Sequence, residues 1–253
     1  MKKLLFIKFG GGILTDKKKA YTLNHKFIDL LPKILPPDLL DRYNVILGTG
    51  GGSFAHYEAK QAKIPGHVTD RQGRVGVGKT HLAAQKLQSI VAERLLESGW
   101  PIFTVSPSDL MDGKRIDISI LQHLWRDGLV PLVHGDVIIT EQLSQFDIFS
   151  TEKIAEVILT ECKNKYPKIT AIFLTDVTGI VKDGTVLRRI DTKDKLDFDT
   201  NSNIDVTGGM AEKVRSAFAL AAMDVDVTIA SGFETDVIER ILNGKLVGTN
   251  FDH

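Results

Sequence analysis

Leu4-Leu5-Phe6-Ile7-Lys8-Phe9-Gly10-Gly11-Gly12 is the stretch whose reading decides the fold. Six residues of strand character end on three glycines, with Lys8 standing at the mouth. A backbone that turns on glycines lets its N–H groups approach a large anion closely. A lysine cluster, Lys17-Lys18-Lys19, follows within reach of the same spot, so the stretch reads as a place where phosphate is handled. Taken alone, the glycine run fits an ordinary strand-to-helix turn equally well. The rest of the chain has to separate the two readings.

Working outward, residues 13–24 are polar and lysine-rich, and residues 25–35 read as a helix kinked at Pro32 and closed by Pro36-Pro37. Residues 44–48 form a second strand that also runs into glycines, Gly50-Gly51-Gly52. Ser53 offers an N-cap for a helix through Phe54, His56, Ala59 and Ala62. Residues 63–74 read as a loop, and 79–98 as a long amphipathic helix with Ala83, Leu87, Ile90, Val91 and Leu95 on one face. Strands are expected at 101–105, 129–134, 169–175 and 226–230, and helices at 117–126, 151–165, 210–223 and 234–242. Residues 137–150 alternate like a hairpin or short edge strands, and 179–190 read as a hairpin around Asp183-Gly184. The segment 191–206 is polar and irregular.

Strands alternating with helices predict an α/β fold, a three-layer αβα sandwich around a largely parallel sheet. Right-handed crossovers place the C-terminal ends of parallel strands along one edge, where such sheets bind ligands. The turns after residues 9, 48 and 134 should meet there. The 253 residues form a single domain on this reading, with a division near residue 165 into two lobes of one sheet.

Composition narrows the partners. Lys+Arg and Asp+Glu both number 32, so no positive excess calls for nucleic acid or an anionic membrane. Cys162, the lone cysteine, rules out an internal disulfide and reads as a core thiol beside Ile154, Val157 and Ile158. No apolar run approaches the ~20 residues of a membrane span. The apolar stretch after Met1-Lys2-Lys3 stops at glycines after six residues, too short for a signal peptide, so a cytoplasmic protein is expected.

One motif is a decoy. Gly73-Arg74-Val75-Gly76-Val77-Gly78-Lys79-Thr80 satisfies the Walker A expression, which works only where a buried strand feeds the loop. The preceding residues, Pro65-Gly66-His67-Val68-Thr69-Asp70-Arg71-Gln72, cannot make such a strand, so Lys79 reads as a solvated lysine at a helix start. A stronger constellation is spread over three turns: Lys8 with Gly10 to Gly12, then Gly50 to Gly52 with His56 one turn beyond, then Thr207-Gly208-Gly209 with Lys213 one turn into the helix it opens. Phosphoryl transfer needs donors on the transferred group and cations for its charge, and these parts supply both.

The chain resembles the amino acid kinase superfamily, in its branch of isopentenyl phosphate kinases and fosfomycin kinases. The carriers are Ile7-Lys8-Phe9-Gly10-Gly11-Gly12, Gly50-Gly51-Gly52-Ser53-Phe54-Ala55-His56, Pro131-Leu132-Val133-His134-Gly135-Asp136, Thr175-Asp176-Val177-Thr178-Gly179 and Asp205-Val206-Thr207-Gly208-Gly209-Met210. The resemblance implies that Lys8 and Lys213 contact the ATP phosphates and that Lys17 stabilises the transition state. Gly10, Gly11, Gly12 and Gly52 would line the nucleotide phosphates. Gly51, Gly135, Thr151 and His56 would hold the acceptor. Asp176, Thr207 and Gly209 would bind nucleotide, with Glu152 orienting the lysines. It also implies Mg2+ accompanying ATP without dedicated protein ligands, a homodimer, and a small phosphate or phosphonate acceptor, isopentenyl phosphate first, in isoprenoid biosynthesis.

The departures are Gly12 where the family usually has serine or alanine, Ala55 where glycine usually precedes the histidine, and Ser150-Thr151-Glu152 where aspartate usually stands third. Glu152 is one methylene longer, and Thr151 adds a side chain where the acceptor phosphate would approach. Both leave room for a phosphonate acceptor, and Glu152 with Ala55 for a nucleotide-binding regulator without catalysis. The acceptor pocket is expected between the helix after Lys79 and the segment around Ser106-Pro107-Ser108.

Overall fold

The computed structural model describes residues 2–112, 115–140, 142–191 and 208–252. The chain opens with β1 (Lys3–Phe9), α1 (Gly11–Leu14), α2 (His25–Ile34), α3 (Leu39–Arg42), β2 (Tyr43–Thr49) and α4 (Gly52–Gln61). There follow β3 (Gly66–His67), α5 (Arg71–Leu96), β4 (Ile102–Thr104), α6 (Pro107–Leu110), β5 (Met111–Asp112) and β6 (Arg115–Ile116). The middle of the chain holds α7 (Ser119–Arg126), β7 (Val130–His134), β8 (Asp136–Ile139), β9 (Gln145–Phe149), α8 (Thr151–Cys162) and β10 (Ile169–Thr175). It closes with β11 (Val181–Lys182), β12 (Thr185–Val186), β13 (Arg189–Asp191), α9 (Gly208–Ala221), β14 (Asp226–Ser231), α10 (Val237–Leu242) and β15 (Thr249–Asp252).

Eight strands form one sheet in the order β13-β15-β14-β10-β1-β2-β7-β4. Every neighbouring pair is parallel except β14 with β15. β1 lies inside it, between β10 and β2, and its alternation explains why Leu4 to Phe9 is unbroken by exposed polar residues. Leu5, Ile7 and Phe9 enter the core shared with α2, α5 and α10. Leu4 and Phe6 enter the opposite core, with α7, α8 and α9. The result is the three-layer αβα sandwich expected from the sequence. The same period of two puts Lys8 on the face of Leu4 and Phe6, under α8 and α9.

Several elements differ from the sequence expectation. α5 starts at Arg71, not residue 79, because the Asp70 carboxylate accepts from the Gly73 amide at 2.7 Å and caps it. Its early glycines make contacts a pattern cannot display: a Cβ on Gly73 would fall on Val68, and one on Gly76 would lie 2.6 Å from Ala62. Gly66–His67 is a short strand paired with β9, and β15 is a strand the alternation of apolar residues did not announce. Ser53 does not cap α4. Gly51 occupies that position, and the Ser53 hydroxyl exchanges hydrogen bonds with Thr22 instead. Cys162, at the end of α8, is buried in the core that holds Leu4 and Phe6, and that burial pushes its thiol up to about 11.

Candidate active site

β1, β2, β7 and β10 all end at one cavity of about 650 Å3. The two glycine turns meet backbone to backbone at its centre. A Cβ on Gly11 would fall on the Gly52 amide, and one on Gly50 would fall on the Gly11 amide. Only glycine on both sides permits that approach. The first-turn amides of α4 lack partners within the helix, so the Gly51–Gly52 turn presents donors and a positive dipole end to the cavity.

Lys8, near the C-terminal end of β1, is 3% exposed and forms an ion pair with Glu152 in the first turn of α8. Glu152 Oε1 also lies 3.7 Å from the Lys213 ammonium, which α9 carries in from the other side. One buried carboxylate thus holds two ammonium groups. Burial alone would raise Glu152, but Lys8 and Lys213 together outweigh it and hold the carboxyl below the usual range. Burial first, and Lys8 second, bring Lys213 down to about 8. His56 stands open to water in the cleft while protein surrounds most of its ring. Desolvation, then Lys8, lower its pKa, which favours the neutral imidazole.

Lys17 reaches across the cavity mouth to Asp176, with 3.4 Å between Nζ and Oδ2. Burial would raise Asp176, and Lys17, the Asp176 amide and the Thr175 hydroxyl together outweigh it and hold the carboxyl below its usual range. A Cβ on Gly12 would fall on the outer end of the Lys17 side chain, so a larger residue there would send that side chain along another path. The departure from serine or alanine therefore has a geometric counterpart.

Lys8, Gly10, Gly11, Gly12, Lys17, Gly51, Gly52, His56, Gly135, Thr151, Glu152, Asp176 and Lys213 all line the one cavity. Gly209 lies in the first turn of α9, one turn before Lys213, and Thr207 lies outside the described residues. Thr151 does not push its side chain at an acceptor: its hydroxyl donates to the Thr49 carbonyl at 2.7 Å and its methyl packs where a Gly48 side chain would be. The Gly135 amide donates to the same carbonyl at 3.2 Å, tying β2, β7 and α8 together at the floor. Ser106 and Pro107 do not line the cavity. The β8–β9 hairpin does, through Val137 and Ile148, because it rises directly from the end of β7 beside Ala55, Ala59 and Thr80.

Of the charged residues on the lining, sequence reasoning passed over Lys60 and Glu212, and gave Lys18 and Asp136 no role beyond their place in the lysine cluster and in a motif. Lys60 was findable, since it lies four residues after His56 on the same helix face. The 2.6 Å contact of the buried Asp136 with His81 Nδ1 was not, because α5 and β8 meet only in the folded chain.

The donor set suits a nucleotide's phosphates: amides at two glycine turns, ammonium groups at Lys8, Lys17 and Lys213, and a buried acid to organise them. Such a site belongs to a phosphotransferase that works by positioning and charge. The profile of the amino acid kinase family matches residues 3–231, and the chain belongs to that family. It is an ATP-dependent kinase. Within the family, its relatives include the isopentenyl phosphate kinase of Thermoplasma acidophilum, 30% identical over 97% of this chain and 99% of that protein. The isopentenyl phosphate kinase of Methanocaldococcus jannaschii is 27% identical over 98% of each. The crystal structure of the T. acidophilum enzyme's product complex superposes with a TM-score of 0.81 at 26% identity, covering 98% of this chain and 99% of that one.

Proposed function

We propose that this kinase transfers the γ-phosphoryl group of ATP to isopentenyl phosphate, giving isopentenyl diphosphate for isoprenoid biosynthesis. The observation that carries the reading is the Lys8–Glu152–Lys213 cluster in one cavity with His56, whose remaining walls include Ala55, Ala59, Val137 and Ile148. A charged end and an apolar side match a phosphate bearing a short hydrocarbon tail. The Ser-Thr-Glu variant at 150–152 lends a phosphonate acceptor less support than the sequence suggested, because Thr151 is committed to Thr49.

In the transfer, an acceptor phosphate oxygen bonds to the γ-phosphorus as the bond to the β,γ-bridging oxygen breaks, releasing ADP. Lys8 and Lys213 neutralise charge on the transferred group, and Lys17 stabilises it in flight. His56 donates its ring N–H to an acceptor oxygen, with Gly51 and Gly135 beside it. Gly10, Gly11, Gly12 and Gly52 hold nucleotide phosphates, and Asp176, Thr207 and Gly209 the rest of the nucleotide. Glu152 keeps both lysines in place. Mg2+ would be held by the nucleotide's own phosphates and would neutralise their charge, since Glu152 and Asp176 each already face lysines. Residues 1–165 form the acceptor lobe and 166–253 the nucleotide lobe of a cytoplasmic homodimer.

The test is ATP consumption with Mg2+ against isopentenyl phosphate, dimethylallyl phosphate and fosfomycin in parallel. Turnover with a prenyl phosphate, lost in His56→Ala, is expected. Turnover with fosfomycin alone would overturn the acceptor and keep the chemistry.

A further inference from the structure

Between α1 and α2, residues 15–24 carry Lys17 and are tied down along their length. Thr15 bridges to Leu23, and the Asp16 amide donates to Thr22 at 2.9 Å. The loop also binds α4. The Tyr21 amide donates to the Ser53 carbonyl at 3.2 Å, and the Ser53 amide donates to Thr15 Oγ1 at 2.9 Å. Tyr21 sits at φ 53°, a left-handed conformation that a bulky side chain adopts only where its surroundings impose it.

Those surroundings are specific. The Tyr21 ring lies 5.0 Å from Phe54 and 6.2 Å from Tyr57, centre to centre, with the Lys86 ammonium of α5 5.7 Å above it. Its hydroxyl donates to Glu58 Oε1 at 2.7 Å. Phe54, Tyr57 and Glu58 flank His56 on α4. Tyr21 itself is outside the cavity lining, so any influence on transfer runs through what it holds.

We propose that Tyr21 is a positioning residue, locking the Lys17 loop onto the His56 helix so that both groups keep one geometry as nucleotide and acceptor meet. The proposal rests on the transfer reading above, in which Lys17 acts on the phosphoryl group. Burial, reinforced by Glu58, pushes the phenol up to about 12, so it stays a donor throughout the working pH range.

Tyr21→Phe keeps the ring and removes the hydrogen bond, whereas Tyr21→Ala removes both. With saturating ATP and isopentenyl phosphate, Tyr21→Phe should lower kcat about fivefold and Tyr21→Ala up to about 100-fold, as expected for a lost bond and a displaced group. Both KM values should stay within about twofold, since positioning acts in the transition state. In a Lys17→Ala background, Tyr21→Phe should lower kcat by clearly less than it does in the wild type, because only the part acting through His56 is left. An equal loss in that background, or full kcat in both tyrosine variants, would overturn the proposal. Trypsin cleavage after Lys17, Lys18 and Lys19 gives a readout independent of the acceptor. If the wild-type chain transfers nothing to isopentenyl phosphate, the acceptor reading has failed. Faster cleavage in both variants would then still support the lock, and an unchanged rate would sink it.

Discussion

Two stretches of this chain combine glycines with a lysine in the manner of a phosphate site, and they have opposite fates. Gly10 to Gly12 follow a buried strand, and Lys8 ends up buried in an ion pair at the sheet edge. Gly73 to Thr80 match a phosphate-binding expression residue for residue, yet lie inside α5 with Lys79 exposed. The difference lies in the backbone. Inside a helix each N–H is already bonded to the carbonyl four residues back. At a strand-to-helix turn the first amides are unpaired and can meet an anion. A motif is therefore a claim about free donors, and only its place in the fold makes them free.

The comparison breaks most visibly at the two lysines. Lys8→Ala should lower kcat by roughly 1000-fold or more, the scale of losing a charge-neutralising group in phosphoryl transfer. Lys79→Ala should change kcat and ATP binding less than about twofold. A reversed pair of results, read by a coupled ATPase assay and nucleotide titration, would restore the decoy.

Next comes the acid that holds Lys8. Glu152→Gln leaves two buried ammonium groups without their counter-charge and should cost about 3 kcal/mol in urea denaturation. The pH sign follows from the lowered carboxyl. Its contribution to stability is complete above the ordinary value of 4.5 and is lost as pH falls through the lower native value. Glu152→Gln should flatten that acid limb.

The glycines sharpen the contrast at smaller scale. Gly50→Ala pushes a methyl onto the Gly11 backbone and should destabilise by about 1–3 kcal/mol. Gly78→Ala meets nothing within 4 Å in mid-helix and should stabilise by about 0.5–1 kcal/mol. Thermal melts of the two variants should move in opposite directions.

The smallest effect is a titration. Lys213, held at about 8 by burial and then by Lys8, loses its charge as pH rises. The kcat/KM for ATP should fall by half near pH 8, and Lys213→Arg should move that limb out of range. A flat profile to pH 9.5 would remove Lys213 from the charge balance.

Most strands and helices were legible, because apolar periodicity reports which faces must be covered. The boundaries that failed have local causes. α5 began eight residues early because Asp70 caps it and its glycines pack on Val68 and Ala62, contacts no period displays. β15 was missed because a four-residue antiparallel strand is defined by its partner β14 rather than by its own pattern. At the site, lysines and glycines were named from motifs that lie within a few residues of one another. The hairpin walls Val137 and Ile148 were not, since they reach the cavity from a turn after β7.

What the sequence determined by itself was the alternation of strand and helix and the chemical kinds of group that end up at the sheet edge. Both follow from local physics: the period of side chains along a strand, and the freedom of glycine to turn. What only the tertiary structure decided was which of those groups touch. Glu152 faces Lys8 and Lys213 because α8 and α9, far from β1 in sequence, converge on one face of it, and Lys17 passes over Gly12 to reach Asp176. Charge organisation of that kind acts over ångströms in space, and the order of residues along the chain does not encode it locally.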